Sequence, residues 1–245
     1  MDSGYYALST ALLARTQALD TIANNLANQS TAGYRAERNV FSSVLAASGT
    51  TLASDMNRAI NNYGVLSGTL LDLSQGVLQK TGNDLDLAIQ GSGFFVVQTA
   101  NGPMYTRNGS LQVSNKGQLV TSAGDPVMGA KGIIAMMPGP VSIGTDGTIS
   151  SNGAVMGTLK LVDFPAGTPI KSEGGTYYSA PLKSAIAATG STVQQGALES
   201  SNVNPVSGMV ELISAQRSAE MMERALSMFN SEIDKTATQD LPKIS

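Results

Sequence analysis

Two stretches with heptad spacing lie at opposite ends of this 245-residue chain, and they restrict its fold more than any other feature. Near the N-terminus, alternating three- and four-residue steps form a seam in which only the arginine is polar: Tyr5, Leu8, Leu12, Arg15, Leu19, Ile22 and Leu26. The same spacing recurs near the C-terminus: Leu212, Ala215, Ala219, Met222, Leu226, Phe229 and Ile233. This spacing predicts helices that pack lengthwise on another helix. Since neither helix can bury its seam alone, we expect the first to pack on the last.

Local signals place the ends of both helices. Gly33 follows the first helical stretch and predicts a break, because glycine readily adopts a positive φ. Before the second stretch, Asn204 can cap free backbone amides. Pro205 then stands at the first helical position, where its missing N–H costs nothing. We therefore expect the C-terminal helix to begin at Pro205.

The middle of the chain has a different character. Residues 86–164 alternate between β-forming stretches, such as AIQGSGFFVVQ at 88–98, and turn signals, such as Asn101-Gly102. These features predict antiparallel strands. Residues 42–80 are rich in small residues and glycine and indicate an extended connector.

The predicted fold class is α+β, with the terminal helices packed as a coiled-coil-like pair and a mainly antiparallel β domain inserted between them. Four regions are expected. Residues 1–33 form the N-terminal helix of an inner axial domain, and 34–80 an extended connector. Residues 81–196 form a β-rich outer domain, and 197–245 the C-terminal helix of the inner domain.

Composition excludes several classes of function. The chain has neither cysteine nor histidine, which removes thiolate metal sites, disulfides and most triad chemistry. A net charge of −3 without any block of basic residues argues against nucleic-acid binding. No run of about eighteen apolar residues predicts a membrane span, and no basic segment precedes the first apolar residues as in a cleaved signal peptide. We expect no cofactor, no metal and no direct membrane insertion.

Besides a structural protein, the residues considered so far leave two classes of function open, an enzyme and a binding module. Asp84 and Asp86 could share one face of a strand and serve a carboxylate-dependent cell-wall hydrolase in the periplasm. No base or further ligand accompanies them, so we expect no enzyme. The β domain could also be a monomeric binding module, which would keep its activity without the terminal helices.

Four distinctive motifs follow one another along the chain. They are NNLAN at 24–28 with Thr31, Gly33 and Tyr34-Arg35; DLAI at 86–89 with GSGFF at 91–95; YTRNG at 105–109; and LESSNVN at 198–204. In this order they resemble the signatures of the flagellar rod and hook protein family. Within that family, the opening MDSGYYAL and Asn204-Pro205-Val206 are more similar to proximal-rod than to distal-rod members. A distal-rod position is the alternative.

The resemblance implies a non-enzymatic subunit of the flagellar basal-body rod, which self-assembles into a torque-transmitting shaft around an export channel. It implies partners among copies of this chain, proximal and distal rod proteins, and the flagellar type III export apparatus. Such a rod spans the periplasm, and its subunits are exported without a cleaved signal. The residues expected at assembly contacts are Leu8, Leu12, Leu19, Ile22, Asn24, Asn25, Leu26, Asn28, Gly33, Tyr34, Ser201, Asn202, Val203, Leu212, Met222, Leu226, Phe229 and Ile233.

Overall fold

The structure is a computed structural model that describes residues 2–42 and 65–239. Side chains are described throughout these ranges except at 2–8, 41–42, 65–68, 229–230 and 232–239. The described residues form two compact units. A helical unit contains 2–26, 37–42, 65–69 and 205–239, and a β unit contains Ala27–Ala36 and Leu70–Asn204.

Two long helices occupy the ends of the described chain. Helix α1 spans Asp2–Ala27, and helix α2 spans Pro205–Gln239. Helix α2 begins at the proline that the sequence places at the first helical position, directly after Asn204. The two helices pack together with an antiparallel β-rich region between them in sequence, which confirms the predicted fold class.

The two helices run antiparallel, with the last turn of α1 beside the first turn of α2. A Cβ built on Gly208, in the first turn of α2, would lie 3.8 Å from Leu26 Cδ1 in the last turn of α1. Starting at that contact, α1 followed towards its N-terminus and α2 followed towards its C-terminus lead in the same direction. Each helix advances about 1.5 Å per residue. Residues 18 positions away, Leu226 and Leu8, therefore stand at about the same level along the pair.

Short strands occur throughout the rest of the described chain. Their bounds are β1 Glu37–Ser42, β2 Val65–Leu71, β3 Leu78–Lys80, β4 Leu87–Gln90, β5 Phe94–Thr99, β6 Gly102–Thr106, β7 Leu111–Val113, β8 Leu119–Thr121, β9 Met128–Gly129, β10 Gly132–Ile133, β11 Val141–Ile143, β12 Thr148–Ser151, β13 Ala154–Thr158, β14 Leu161–Asp163, β15 Lys171–Ser172, β16 Tyr177–Ser179, β17 Ile186–Ala187, β18 Thr192–Gln195 and β19 Ala197–Glu199. A single 3-10 turn at Leu182–Ser184 precedes β17.

The largest sheet of the β unit has six strands in the order β15-β16-β6-β5-β14-β17, all paired antiparallel. Because side chains alternate across a strand, β5 contributes to two separate cores. Phe95 and Val97 join the larger core, and Phe94 and Val96 join the smaller one. Apolar side chains on both faces of this strand are thereby buried within the unit.

Strands also occur in the regions on either side of the predicted β domain. The region at 34–80 contains β1, β2 and β3, while its residues 43–64 lie outside the described chain. The region at 197–245 starts with β19, which pairs antiparallel with β3, before α2 begins. None of the helices in the described ranges is long and apolar enough to span a membrane.

Candidate assembly site

Three charged side chains from distant parts of the chain meet inside the β unit. Arg35 is 1% exposed, Arg107 is 3% exposed, and Glu199 is fully buried. Arg35 Nη2 donates to Glu199 Oε1 at 2.6 Å, and Arg107 Nη1 donates to Glu199 Oε2 at 3.0 Å. We call these three residues the buried ion cluster. Each belongs to a different motif of the family resemblance.

Glu199 also holds backbone groups on two further stretches. The N–H of Gly76 donates to Glu199 Oε1 at 2.7 Å, and the N–H of Gly33 donates to the main-chain oxygen of Glu199 at 2.7 Å. Both carboxylate oxygens of Glu199 are therefore occupied. One residue thus joins the turn at Gly33, the loop before β3, the segment after β6 and the strand β19.

Arg107 is held by neutral groups as well as by its ion pair. It donates to the carbonyl oxygens of Ile89 at 3.3 Å and Gly91 at 2.7 Å, and its guanidinium lies 5.4 Å from the centre of the Phe94 ring. Burial lowers the pKa of Arg107, while the carboxylate of Glu199 acts in the opposite direction. A guanidinium remains charged even so, because its ordinary pKa is very high.

The cluster is not balanced in charge, since two guanidinium groups face one carboxylate. Within the described residues, Arg35 Nε and Nη1 and Arg107 Nε have no hydrogen-bond partner. Buried cations with unfilled donors depend strongly on their one counter-charge. Glu199 is therefore the residue on which this arrangement depends most.

The turn that carries Arg35 is shaped by Gly33. This glycine has a φ of +72°, and a Cβ on it would lie 2.2 Å from the backbone nitrogen of Asn108. Only glycine permits both this conformation and this close approach. The next residue, Tyr34, is buried, and the N–H of Arg35 donates to the Tyr178 hydroxyl at 2.8 Å.

The predicted site residues of the LESSNVN motif lie beside this turn. Asn202 Oδ1 accepts from the N–H of Ala36 at 2.7 Å, and its Nδ2 donates to the carbonyl oxygens of Asp72 and Ser74. Ser201 Oγ accepts from the N–H of Val203, which is half-buried. Asn202 therefore ties the last segment of the β unit to two earlier segments of the same unit.

In the helical unit, alanines form the most buried line on each helix. Ala11, Ala14 and Ala18 of α1 and Ala219 of α2 are each at most 7% exposed. Small side chains let two helix backbones approach closely. The predicted seam residues beside them are half-buried, namely Leu12, Leu19, Ile22 and Leu26 on α1 and Leu212, Met222 and Leu226 on α2. The side chains of Leu8, Phe229 and Ile233 lie outside the described ones.

The three predicted asparagines near the end of α1 have different surroundings. Asn25 Nδ2 donates to the carbonyl of Glu37 at 2.8 Å, and its Oδ1 accepts from the N–H of Glu37 at 2.9 Å. This pair of bonds fastens α1 to β1. Asn28 Oδ1 accepts from the Thr31 hydroxyl within the following turn, while Asn24 is exposed.

Helix α2 has a second apolar line on its outer side. Val210, Ile213, Met221 and Met228 are between 51% and 66% exposed, and we call these four residues the outward stripe. At about 100° per residue, Ile213 lies roughly opposite Ala215, which faces the inner side. Arg217 and Arg224 fall along the same line as the outward stripe. Helix α2 is thus apolar on two opposite sides.

None of the three residues of the buried ion cluster was predicted from the sequence as a site residue, although each of them lies in one of the motifs given above. Arg35, Arg107 and Glu199 are the only charged residues in the segments YR, YTRNG and LESSNVN. Because only 13% of the residues in this chain are charged, the one charged residue in each of these three segments could have been singled out as a candidate site residue. Their mutual pairing was not visible, because they are 92 and 164 positions apart.

The carboxylate pair of the hydrolase alternative has no catalytic arrangement. Asp86 is 7% exposed and accepts from Asn83 Nδ2 at 3.1 Å, within a local turn, while Asp84 is exposed. In the described ranges, no group of three or more acidic side chains is placed to hold a metal ion.

Family models match the chain in three places. Residues 6–35 match the model described as "Flagella basal body rod protein". Residues 88–155 match "Flagellar hook protein FlgE/F/G D1 domain", and 194–239 match "Flagellar basal body rod FlgEFG protein C-terminal". Arg35 lies in the first matched range and Glu199 in the last.

Individual relatives extend this similarity over the full length. The flagellar basal-body rod protein FlgF of Caulobacter vibrioides is 33% identical over 249 residues, covering 100% of both chains. FlgF of Escherichia coli is 35% identical over 91% of this chain and 93% of its own. The flagellar basal-body rod protein FlgG of Bacillus subtilis is 32% identical over 81% of this chain and 84% of its own.

Proposed function

The chain belongs to the flagellar basal-body rod protein family, and we propose that it joins the rod through its helical unit. It is a FlgF-like structural subunit of the proximal rod and not an enzyme. The family assembles as a rod, which requires surfaces that become covered only in the assembly. The outward stripe of α2 is such a surface.

The observation that carries the proposal is the pair of apolar sides on α2. The inner side packs with α1, and the outward stripe has more than half of each side chain exposed. Removing apolar area from water contributes about 25 cal/mol per Å², before the entropic cost of association is subtracted. A helix that is apolar all round is usually a buried one. Neighbouring subunits of the rod therefore cover the outward stripe.

The geometry of such a contact suits an open-ended shaft. A stripe on one helix that meets a different surface on the next subunit makes a head-to-tail contact, which propagates instead of closing. In this arrangement the paired helices form the inner layer around an export channel, and the β unit forms the outer layer. The shaft then transmits torque across the periplasm.

The partners we propose follow from this position. They are further copies of this chain, other proximal rod proteins and the distal rod proteins, through the predicted contact residues on α1 and α2. Membership of the rod family also supports delivery by the flagellar type III export apparatus, as an unfolded chain without cleavage of a signal. The absence of cysteine from the sequence suits an oxidising compartment.

The substitution Ile213→Glu tests the outward stripe, because it places a carboxylate in the proposed interface without touching the inner side. We expect purified protein with unchanged helical circular dichroism and an unchanged melting temperature. We expect cells that do not swim and isolated basal bodies that lack a complete rod, because a carboxylate in an interface is costly to desolvate even when it lies beside Arg217.

Gln216→Glu is the matched control, since Gln216 is exposed on α2 away from the outward stripe and the substitution introduces the same side chain. These cells should swim normally. Normal swimming by Ile213→Glu cells would show that the outward stripe is not an assembly contact.

A further inference from the structure

We infer that Glu199 is a positioning residue that fastens both ends of the β unit to one point, so that four chain segments open and close together as a single latch. The segments are 33–36, 76–80, 105–109 and 197–202. This inference concerns the isolated subunit and does not depend on which surface of the helical unit makes the assembly contact.

The position of the latch follows from the path of the chain. The chain passes between the helical unit and the β unit after residues 26, 36, 69 and 204. Gly33 and Arg35 immediately precede the second crossing, Gly76 follows the third, and Glu199 precedes the fourth. Arg35, which bonds to Glu199, therefore lies one residue before the second crossing, and Glu199 itself lies five residues before the fourth.

Additional hydrogen bonds join the same segments to one another. The N–H of Asp72 donates to the carbonyl of Ala36 at 2.8 Å, and the N–H of Ser200 donates to that of Val77 at 2.9 Å. Asn202 bonds to Ala36 and Asp72. Releasing one segment leaves donors and acceptors on the others without partners, and this makes their opening cooperative.

Charge makes Glu199 the centre of this cooperativity. Its carboxylate is the counter-charge for both Arg35 and Arg107 within the buried ion cluster. Loss of that charge leaves both buried cations without the carboxylate that bonds to them, and the carboxylate of Asp163 acts only on Arg107. Admitting water at both segments relieves the two cations. Loss of Arg35 instead leaves Arg107 and Glu199 as a balanced pair, so the four segments should still open together but by a smaller factor.

Other parts of the β unit are held by different interactions. The three-stranded sheet β11-β12-β13 contributes Ile143 and Ile149 to the larger apolar core, and no hydrogen bond described for the buried ion cluster reaches it. Opening of the latch should therefore leave this sheet protected. That separation gives the experiment an internal reference.

The test is amide hydrogen exchange of the full-length chain, followed by mass spectrometry, for wild type and Glu199→Gln. Glutamine keeps the shape and one acceptor but removes the charge. We expect exchange to accelerate by a common factor on the order of 100-fold in all four segments. Exchange in β11, β12 and β13 should not change. Glu173→Gln, at an exposed carboxylate of the same unit, is the control and should match wild type.

Two further variants separate a latch from ordinary loss of stability. Arg35→Met should accelerate exchange in all four segments by a smaller common factor than Glu199→Gln, and Glu199→Asp, which keeps the charge, should restore most of the protection lost in Glu199→Gln. If Glu199→Gln does not fold, Glu199→Asp should still accelerate the four segments together by a smaller common factor. Acceleration confined to 197–202, or spread uniformly over the β unit, would overturn the inference.

Discussion

The β unit and the helical unit differ in how their apolar side chains are buried. In the β unit, strand β5 places large side chains in two cores, and the charges of the buried ion cluster are bonded within the unit. In the helical unit, α2 covers one apolar side and leaves four large side chains of the outward stripe more than half exposed. The β unit therefore encloses two apolar cores of its own, whereas we propose that a neighbouring subunit covers the outward stripe of the helical unit. The same chain thus separates folding from assembly.

The largest effect should come from the core of the β unit. Phe95 is fully buried in β5, and Phe95→Ala should lower the free energy of unfolding of this unit by about 3–5 kcal/mol, because it removes apolar contacts and leaves a cavity. Denaturant unfolding followed by circular dichroism in the strand region measures this. Val155→Ala, at a side chain that is 69% exposed, should change it by less than about 0.5 kcal/mol. Equal effects would mean that the unit has no closed core.

A smaller effect should follow from a charge on the inner side of α2. Leu226 is half-buried, and Leu226→Asp should cost the helix pair about 2–3 kcal/mol, since the new carboxylate is partly desolvated without a counter-charge. We expect reduced helical circular dichroism, unchanged melting of the β unit and no swimming.

Ser231→Asp is the control for this substitution, because Ser231 is exposed on the same helix and bonds only to the carbonyl of Met228 among the bonds described. The helical circular dichroism and the melting temperature of the purified Ser231→Asp protein should match those of wild type. Melting of the β unit at a lower temperature in Leu226→Asp would show that the two units do not fold separately.

The turn at Gly33 allows conformational strain to be separated from steric contact. Gly33 and Gly82 have similar positive φ values, +72° and +77°, but only Gly33 has backbone atoms where a Cβ would lie. Gly82→Ala should cost about 1 kcal/mol from backbone strain alone. Gly33→Ala should cost about 1–3 kcal/mol more, because the turn must move away from Asn108. Thermal unfolding of both variants measures the difference, and equal melting temperatures would exclude a close contact at Gly33.

The smallest effect should come from the outward stripe in the isolated subunit. Met221 is 63% exposed, so Met221→Gln should change the melting temperature of the monomer by an amount equivalent to less than about 0.5 kcal/mol. Its effect should appear only in the assembly, as slower or absent swimming. A clear loss of monomer stability would indicate that the outward stripe is already covered within the subunit.

Much of the fold could be predicted from the sequence because its signals are local. Heptad spacing predicted both terminal helices, and Asn204-Pro205 predicted where α2 begins. The turn at Asn101-Gly102 does join β5 to β6. The roles of the candidate site residues were less accessible. Asn25 and Asn202 bond to backbone groups 12 and up to 166 positions away, and such partners leave no periodic signal in the sequence.

The sequence by itself determined that α2 is a helix and that apolar residues recur along it, since helical periodicity depends only on spacing within one segment. It also determined that few charges are available to be buried. Only the tertiary structure decided that a second apolar line of α2 stays exposed as the outward stripe, and that Ala219 is the most buried of the described seam residues on this helix. Likewise, only the tertiary structure decided that Glu199 pairs with both Arg35 and Arg107. A buried charge is stabilised by whichever counter-charge the folded chain brings within about 3 Å, whatever their separation in sequence.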